Sequence, residues 1–280
     1  MAKFSAAVFL LSAGMGLGMA QSGAPARTEY PDAPEAKNSA ASAKRSPRPK
    51  TQAECDAYKL TVSLTDPAKL ELAATEFAQR FPESELRSIL FQQAMGLYQQ
   101  AQNPAKTLEM ARAALKYDPN NSVALVAAAQ VLAERTHDND LDRDDRLAEA
   151  KADALRALQT AGDIPPPTNM TQEQFASAVA KLHGAAHEVL ATVAFKKLDY
   201  QTAIKEYELA TSVDKEHTDA VVWLRLSVAH DKSGDYTAAE AVVKKAIAAS
   251  QPGTPVRQLA EQEESHLAKV ASDAAKSSGK

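Results

Sequence analysis

The sequence has little of several residue types that mark particular classes of protein. It contains one cysteine, ten glycines and 5% aromatic residues among 280. One cysteine excludes a scaffold of intramolecular disulfides, and so few glycines exclude a collagen-like fibre. Positive charge is not in excess, because 32 Lys and Arg stand against 36 Asp and Glu. A basic nucleic-acid-binding protein is therefore excluded, and we expect no nucleic-acid partner.

Alanine is the abundant residue, at 57 of the 280 positions. Apolar residues recur at steps of three and four along 51–280 and nowhere alternate strictly over a useful length, which indicates helices throughout. Only six glycines lie in this range. The chain is long enough to bury a sizeable core. The helical spacing and the composition together predict an all-α fold.

The first twenty residues resemble an export signal. Met1 to Lys3 supplies a positive start, Phe4 to Leu11 an apolar run, and Gly18-Met19-Ala20 a small-x-small cleavage site. A cut after Ala26 is the alternative, and an uncleaved N-terminal anchor is a second one. No later stretch is long or apolar enough to cross a bilayer. We therefore expect an exported protein, periplasmic or secreted, with no transmembrane segment after signal cleavage.

Composition divides the remaining chain. Residues 21–52 are rich in Ala, Ser, Pro and Lys and have almost no large apolar side chain, which predicts a disordered linker. Residues 271–280 are again small and polar and predict a disordered tail. Cys55, just past the linker, is either buried as a small apolar residue or free to pair with another chain.

The sequence contains capping signals that predict several helix boundaries. Asp66-Pro67 and Asn103-Pro104 each place an acceptor side chain before a proline at the first helical position, so helices are predicted to begin there. Thr171 and Gln174 have the spacing of a capping box, which predicts a long helix from there to about Leu198. Thr254-Pro255 predicts the start of a last helix over 253–270.

The boundaries of these helices recur with a fixed period. The steps from Asp66 to Asn103 and from Pro82 to Pro119 are both 37 residues, and a period of this length, made of two helices, is typical of a solenoid. One unit has a series of small, aromatic and glycine positions with characteristic spacing: Trp223, Leu226, Ser227, Gly234-Asp235-Tyr236, Ala239 and Ala246. These residues resemble the tetratricopeptide repeat (TPR) family, in which small residues lie where two antiparallel helices cross.

The resemblance covers about 51–252. It implies a right-handed solenoid of four to five helix pairs over 53–252, with insertions near 136–145 and 162–170, followed by a capping helix over 253–270. Small residues at the helix crossings let two backbones approach closely. The alternative is an irregular all-helical domain whose alanines match the spacing by chance.

Two groups of residues have the spacing of metal ligands. His183 and His187 lie four apart on one predicted helix and could share a zinc ion, but no third ligand is apparent. Asp138, Asp140, Asp142 and Glu149 match part of a calcium-loop pattern, in which Arg143 replaces the required glycine. The alternatives are exposed histidines and an acidic, solvated loop. No nucleophile motif, zinc-protease motif or phosphate-binding loop is present, and we expect neither a cofactor nor catalysis.

The TPR resemblance implies a concave groove lined by the first helix of each pair, where family members bind peptides or helices of other proteins. Alignment to the family's inward positions gives the predicted partner-binding residues: Gln92, Gln99, Gln130, Glu134, Glu188, Thr192, Lys196 and Asp231. The predicted function is an exported, non-catalytic adaptor or scaffold that binds a protein or peptide, in envelope assembly or secretion. A self-assembling structural protein of the envelope is the alternative.

Overall fold

The structure, a computed structural model, describes residues 46–163, 166, 170–213 and 218–278. The predicted signal peptide and the predicted linker up to residue 45 lie outside these residues. Within the described part of the chain, the secondary structure is helical and contains no strand. Eleven α-helices are found there: α1 Gln52–Val62, α2 Pro67–Arg80, α3 Leu86–Gln100, α4 Pro104–Tyr117, α5 Ser122–Arg135, α6 Arg143–Thr160, α7 Gln172–Lys196, α8 Tyr200–Ser212, α9 Ala220–Ser233, α10 Tyr236–Ala249 and α11 Pro255–Ser278.

The helices pack in consecutive pairs. Helix α3 pairs with α4, α5 with α6, α7 with α8 and α9 with α10, and the second helix of each pair also contacts the first helix of the next. Helices α1 and α2 form a looser pair at one end, and α11 covers α9 and α10 at the other. The fold is thus an all-α, TPR-like stack of helix pairs, which confirms the predicted fold class.

Small residues occupy the places where helices cross. Ala111, Ala128, Ala203 and Ala239 have no solvent-exposed surface. At the α9–α10 crossing the Ser227 hydroxyl donates a hydrogen bond to the Ala239 carbonyl oxygen at 2.9 Å. A larger side chain at any of these positions would push the two helices apart. Close packing of helices therefore explains why the sequence is so rich in alanine.

Side-chain caps begin the helices where the sequence predicts them. The Asp66 carboxylate accepts from the Lys69 backbone N–H at 2.9 Å, and the Asn103 side chain accepts from that of Lys106 at 3.2 Å. Thr171 and Gln174 form both bonds of a capping box at the start of α7. These three helix starts are confirmed. Helix α7 ends at Lys196 rather than at Leu198, because Leu198 adopts a left-handed backbone with φ of 61°.

Both ends of the helical body extend further than the composition indicates. Thr51 caps α1, and the Lys50 ammonium donates to the Glu83 carbonyl oxygen at 2.6 Å, so residues 50–52 belong to the folded body rather than to a linker. Helix α11 continues to Ser278, past the predicted end at residue 270. The predicted disordered tail over 271–280 is therefore wrong up to Ser278. Three alanines follow residue 270, and alanine has the highest helix propensity.

The buried apolar residues form one large cluster and two small ones. The large cluster runs from Tyr58 in α1 to Val193 in α7. A second cluster joins α7, α8, α9 and α10, and a third holds α11 through Ala260 and Leu267 against α9 and α10. None of the described helices is both long and apolar enough to span a membrane. The core is thus continuous from α1 into α7 and becomes divided beyond that helix.

Candidate functional site

The division of the core coincides with an open cavity of 1170 Å³ between α7, α9 and α11. This groove, as we call it, is bordered at its base by Glu134 of α5 and Tyr207 of α8, and at one end by the connection from α10 to α11. Pockets that bind drug-sized ligands have volumes of about 300–1,000 Å³. The groove therefore has room for several side chains of a binding partner.

A network of ion pairs crosses the base of the groove. Arg225 of α9 contacts Glu134 of α5 at 2.7 Å and donates to Glu188 of α7 at 3.0 Å. Its second terminal nitrogen also donates to Glu134, at 2.9 Å. One guanidinium thus joins three helices of successive repeats, in a geometry that suits its fork of donors.

Burial shifts the pKa values around this network. Burial raises the pKa of the Glu188 carboxyl, and the charges of Glu134 and Asp219 add to that rise while Arg225 opposes it. Burial also raises the pKa of Tyr207 to about 12, and its hydroxyl lies 3.2 Å from that of Thr192. Although burial alone would lower the pKa of Arg225, the neighbouring carboxylates raise it above its ordinary value. Arg225 is therefore the fixed positive charge of the groove.

Lys196, a second cation of the groove, is already bound by the protein itself. Its ammonium donates to the carbonyl oxygens of Thr136 at 2.5 Å and Glu134 at 3.4 Å, at the C-terminal end of α5. A cation is favourable there because the last carbonyls of a helix carry partial negative charge. Burial lowers the pKa of Lys196, and Arg143 in turn donates to its backbone carbonyl oxygen.

Apolar side chains line the walls of the groove. Phe195 comes from α7, Leu224 and Val228 come from α9, and Val256 and Leu259 come from α11. Leu259 has 54% of its surface exposed, whereas Ala260 beside it and Leu267 are buried against α9 and α10. Helix α11 therefore has one apolar side in the core and other apolar residues facing the groove.

The predicted partner-binding residues occupy three different environments. Glu134, Thr192 and Lys196 line the groove, and Glu188 is paired with Arg225 beside it. Asp231 is buried between α9 and α11, where it contacts His266 at 3.1 Å. The other three predicted residues lie on α3 and α5 and do not line the groove: Gln92, Gln99 and Gln130.

The sequence prediction did not include Arg225, Leu224 or the groove residues of α11. The 36-residue step from Asp199-Tyr200 to Asp235-Tyr236 places Glu188 in register with Leu224, so Arg225 is one position out of the inward register. The repeat period could have identified Leu224. Arg225 lies on the same face of α9 as Val221 and Leu224, which also line the groove, and α11 lies outside the repeat pattern that guided the selection.

The candidate metal ligands have other contacts. His187 lies 2.7 Å from Glu206, and burial lowers the pKa of His183, whose Nε2 is buried without a hydrogen-bond partner in the described chain. Glu149 of the calcium-like pattern pairs with Arg112 at 2.8 Å. Within the residues that the structure describes, no three His, Cys, Asp or Glu side chains are grouped so as to hold a metal ion.

Asp140 and Asp142 of the same pattern lie beside an arginine. The Arg146 guanidinium is 3.8 Å from Asp140 and 3.9 Å from Asp142. Asp140 also accepts a hydrogen bond from the His137 backbone N–H at 2.8 Å. These carboxylates therefore order the connection between α5 and α6 and the first turn of α6.

No known family model matches the sequence, and no curated protein matches it. Solved structures do match. An assembly chaperone of RpL4 (Acl4) has 10% sequence identity and a TM-score of 0.41, over 79% of this chain and 99% of that one. A tetratricopeptide repeat protein from Parabacteroides merdae has 14% identity and a TM-score of 0.37, over 82% and 94%. PilW, a type IV pilus biogenesis factor, has 17% identity and a TM-score of 0.38, over 74% and 98%.

The chain's own geometry carries the assignment of its fold. Consecutive helices pair, alanine and serine occupy the crossings, and an additional helix covers the last pair. Gly234, with φ of 84°, makes the left-handed turn that ends α9 before Asp235 caps α10. These features together are those of a TPR-like fold.

Proposed function

We propose that this chain is an exported, non-catalytic adaptor that binds a segment of another protein in the groove between α7, α9 and α11. Its proposed role is in the cell envelope, in assembly or secretion. The observation that carries the proposal is the groove itself, with its 1170 Å³ of open volume and its exposed apolar wall. Grooves of this kind are concave, mostly apolar sites with a few polar groups that orient the ligand.

Burial of the apolar wall supplies the binding energy. Leu259 is more than half exposed in the free chain, and covering a leucine side chain of this kind contributes about 1 kcal/mol. Leu224 and Phe195, on the opposite walls, are half-buried and complete a surface that side chains of a partner would cover. The ion pairs of Arg225 hold α5, α7 and α9 in place, so little ordering is needed upon binding.

The groove is tested by quantitative affinity purification of cross-linked, tagged protein from cells that make it. The Leu224→Ser/Leu259→Ser double variant is compared with the wild type, and Leu155→Ser serves as the control because it alters an exposed leucine of α6 away from the groove. A specific protein that is recovered with the wild type and the control, but lost with the double variant, supports the proposal. Recovery that is the same for all three contradicts it.

Export is tested separately, because it depends on the first residues of the chain. Mass spectrometry of the N-terminus of the mature protein is expected to begin at Gln21, or at Arg27 if the second site is used. Deletion of residues 1–20 should leave the protein inside the cell. An intact N-terminus on protein recovered from the cytoplasm would contradict export.

Self-assembly is the second candidate function, and one observation favours it. Leu60 of α1 is 75% exposed and Leu72 of α2 is 61% exposed, at the end of the stack opposite α11. Repeat stacks need a polar outer face at each end to remain soluble, and exposed leucines weaken such a face. Light scattering of the purified chain tests this candidate, since a dimer that Leu60→Ser/Leu72→Ser dissociates would support it and a monomer would contradict it.

A further inference from the structure

The charge of the groove indicates the chemistry of the segment that it binds. Three carboxylates line the cavity, from Glu134, Asp219 and Glu263, and Glu188 lies beside it, against the two cations of Arg225 and Lys196. Arg225 is shared between Glu134 and Glu188, and the Lys196 ammonium is bound by backbone carbonyls. Both cations of the groove are therefore used by the protein, while negative charge remains in excess.

Glu263 of α11 is a carboxylate whose hydrogen bonding within the described chain is incomplete. Its side chain lines the groove, and its Oε1 is buried without a hydrogen-bond donor in the described part of the chain. Burial raises its pKa, and the nearby charge of Asp231 adds to that rise, while His266 and Lys232 oppose it. An acceptor that lacks a donor is unfavourable when it is buried, so the protein itself does not fully satisfy the Glu263 carboxylate.

Glu263 also lies next to the apolar wall on the same helix. It is four residues after Leu259, and residues four apart share a face of a helix. Leu224 and Val228 of α9 line the same cavity. A ligand seated in the groove therefore meets apolar carbon and a carboxylate together.

We propose that the groove binds an apolar peptide segment that carries a lysine or arginine, with the cationic side chain paired to Glu263 and its apolar side chains on Leu224 and Leu259. This inference rests on the proposed function, because it assumes that the groove binds a peptide. It names the class of ligand, and it excludes an acidic segment or a terminal carboxylate as the preferred occupant. Placing a carboxylate against Glu263 would bring two like charges together.

The test uses a phage-displayed library of random peptides of about twelve residues as the probe. The full mature chain is immobilised, and peptides bound by the Leu224→Ser/Leu259→Ser variant are subtracted. The remaining peptides are expected to combine apolar residues with lysine or arginine. A set enriched in aspartate or glutamate, or one with no preference of charge, would overturn the inference while leaving groove binding in place. If no peptide depends on the groove, the proposed function fails as well.

A second measurement tests whether the lysine or arginine of the peptide pairs with Glu263. Fluorescence anisotropy compares the strongest basic peptide with the same peptide in which its lysine or arginine is replaced by glutamine. The wild type should bind the basic form about tenfold more tightly, whereas Glu263→Gln should bind the two forms equally. Glu240→Gln on α10, which removes an exposed carboxylate outside the groove, should keep the wild-type preference. A preference that persists in Glu263→Gln would overturn the role of Glu263.

Discussion

The two sections of the stack share the same repeat but differ in how the concave side is packed. In the N-terminal section, α1 to α6, apolar side chains fill the space between helices in one continuous cluster, which extends into α7. In the groove section, α7 to α11, the apolar clusters are small, and the first helices of the repeats are joined at the cavity by Arg225 and two carboxylates. The crossings carry small residues in both sections. The repeat therefore sets the fold, and the residues outside the crossings decide whether the concave side is packed or open.

Helix α5 shows how the N-terminal section becomes closed. From Ser122 to Ala129 every residue is buried, and the helix contacts α3, α4, α6 and α7. Its small side chains let four neighbours approach at once. In the groove section, α9 has Leu224, Arg225 and Val228 facing the cavity instead.

The largest expected effect is on the core of the N-terminal section. Leu147 of α6 is fully buried, so Leu147→Ala should lower the free energy of unfolding by about 3 kcal/mol through lost burial and a cavity. Urea unfolding followed by circular dichroism measures it. Leu155→Ala is the control on the same helix, because Leu155 is 42% exposed and should cost well under half as much. Equal losses would contradict the described packing of α6.

Removal of the cation beneath the groove should have the next largest effect. Arg225→Met leaves Glu134 and Glu188 near each other without their partner, and the loss should be about 2 kcal/mol at pH 7, because the site is partly exposed. Glu188 has a raised pKa in the folded protein, so folding favours its protonated form and this favourable contribution is lost as the pH rises through that pKa.

The loss caused by Arg225→Met should therefore be smaller at pH 5 than at pH 7, since Glu188 takes up a proton in the variant more readily than in the wild type. Urea unfolding of both proteins at the two pH values measures this difference. The Glu188→Gln/Arg225→Met double variant is the control, and its dependence on pH should be weaker. A loss that is the same at both pH values would contradict the described pairing.

Helix caps should contribute equally in the two sections. Asp66 caps α2 at 2.9 Å and Asp235 caps α10 at 3.0 Å, with the same bond to the third following N–H. Asp66→Ala and Asp235→Ala should each cost about 1 kcal/mol in urea unfolding, and Asp→Asn at either position should cost much less. A large difference between the losses in the two alanine variants would show that the stabilisation by a helix cap depends on the section that contains it.

The smallest expected effect on stability is at the groove surface. Leu259→Ala should change the free energy of unfolding by about 0.5 kcal/mol or less, because Leu259 is more than half exposed. The same variant should weaken peptide binding about fivefold, since the lost contact is made in the complex. A strongly destabilised Leu259→Ala protein would instead place this residue in the core of the groove section.

Local signals in the sequence predicted the fold well. The caps at Asp66, Asn103 and Thr171 depend on residues three positions apart, and the small residues at the crossings repeat with the period of the helix pairs. These features need no knowledge of distant contacts. The end of α11 was missed because its polar residues resemble a linker, while its alanines favour helix.

The site was predicted only in part, for a different physical reason. Inward register selects a backbone position, but it does not fix where a long side chain reaches or which helix covers a residue. Arg225 reaches the groove although it is one position out of that register, whereas Asp231, which the alignment to the family selected, is covered by His266 of α11. Such contacts join residues 35 or more positions apart along the chain, and no local pattern encodes them.

The most direct test of the central claim is hydrogen–deuterium exchange of the mature chain with and without the strongest peptide from the library. Binding in the groove should slow exchange in α7, α9 and α11 and leave α1 to α4 unchanged, because a ligand protects the helices that it contacts. Protection confined to α1 to α4, or absent from α9 and α11 at a saturating concentration of peptide, would contradict the assignment of binding to the groove section.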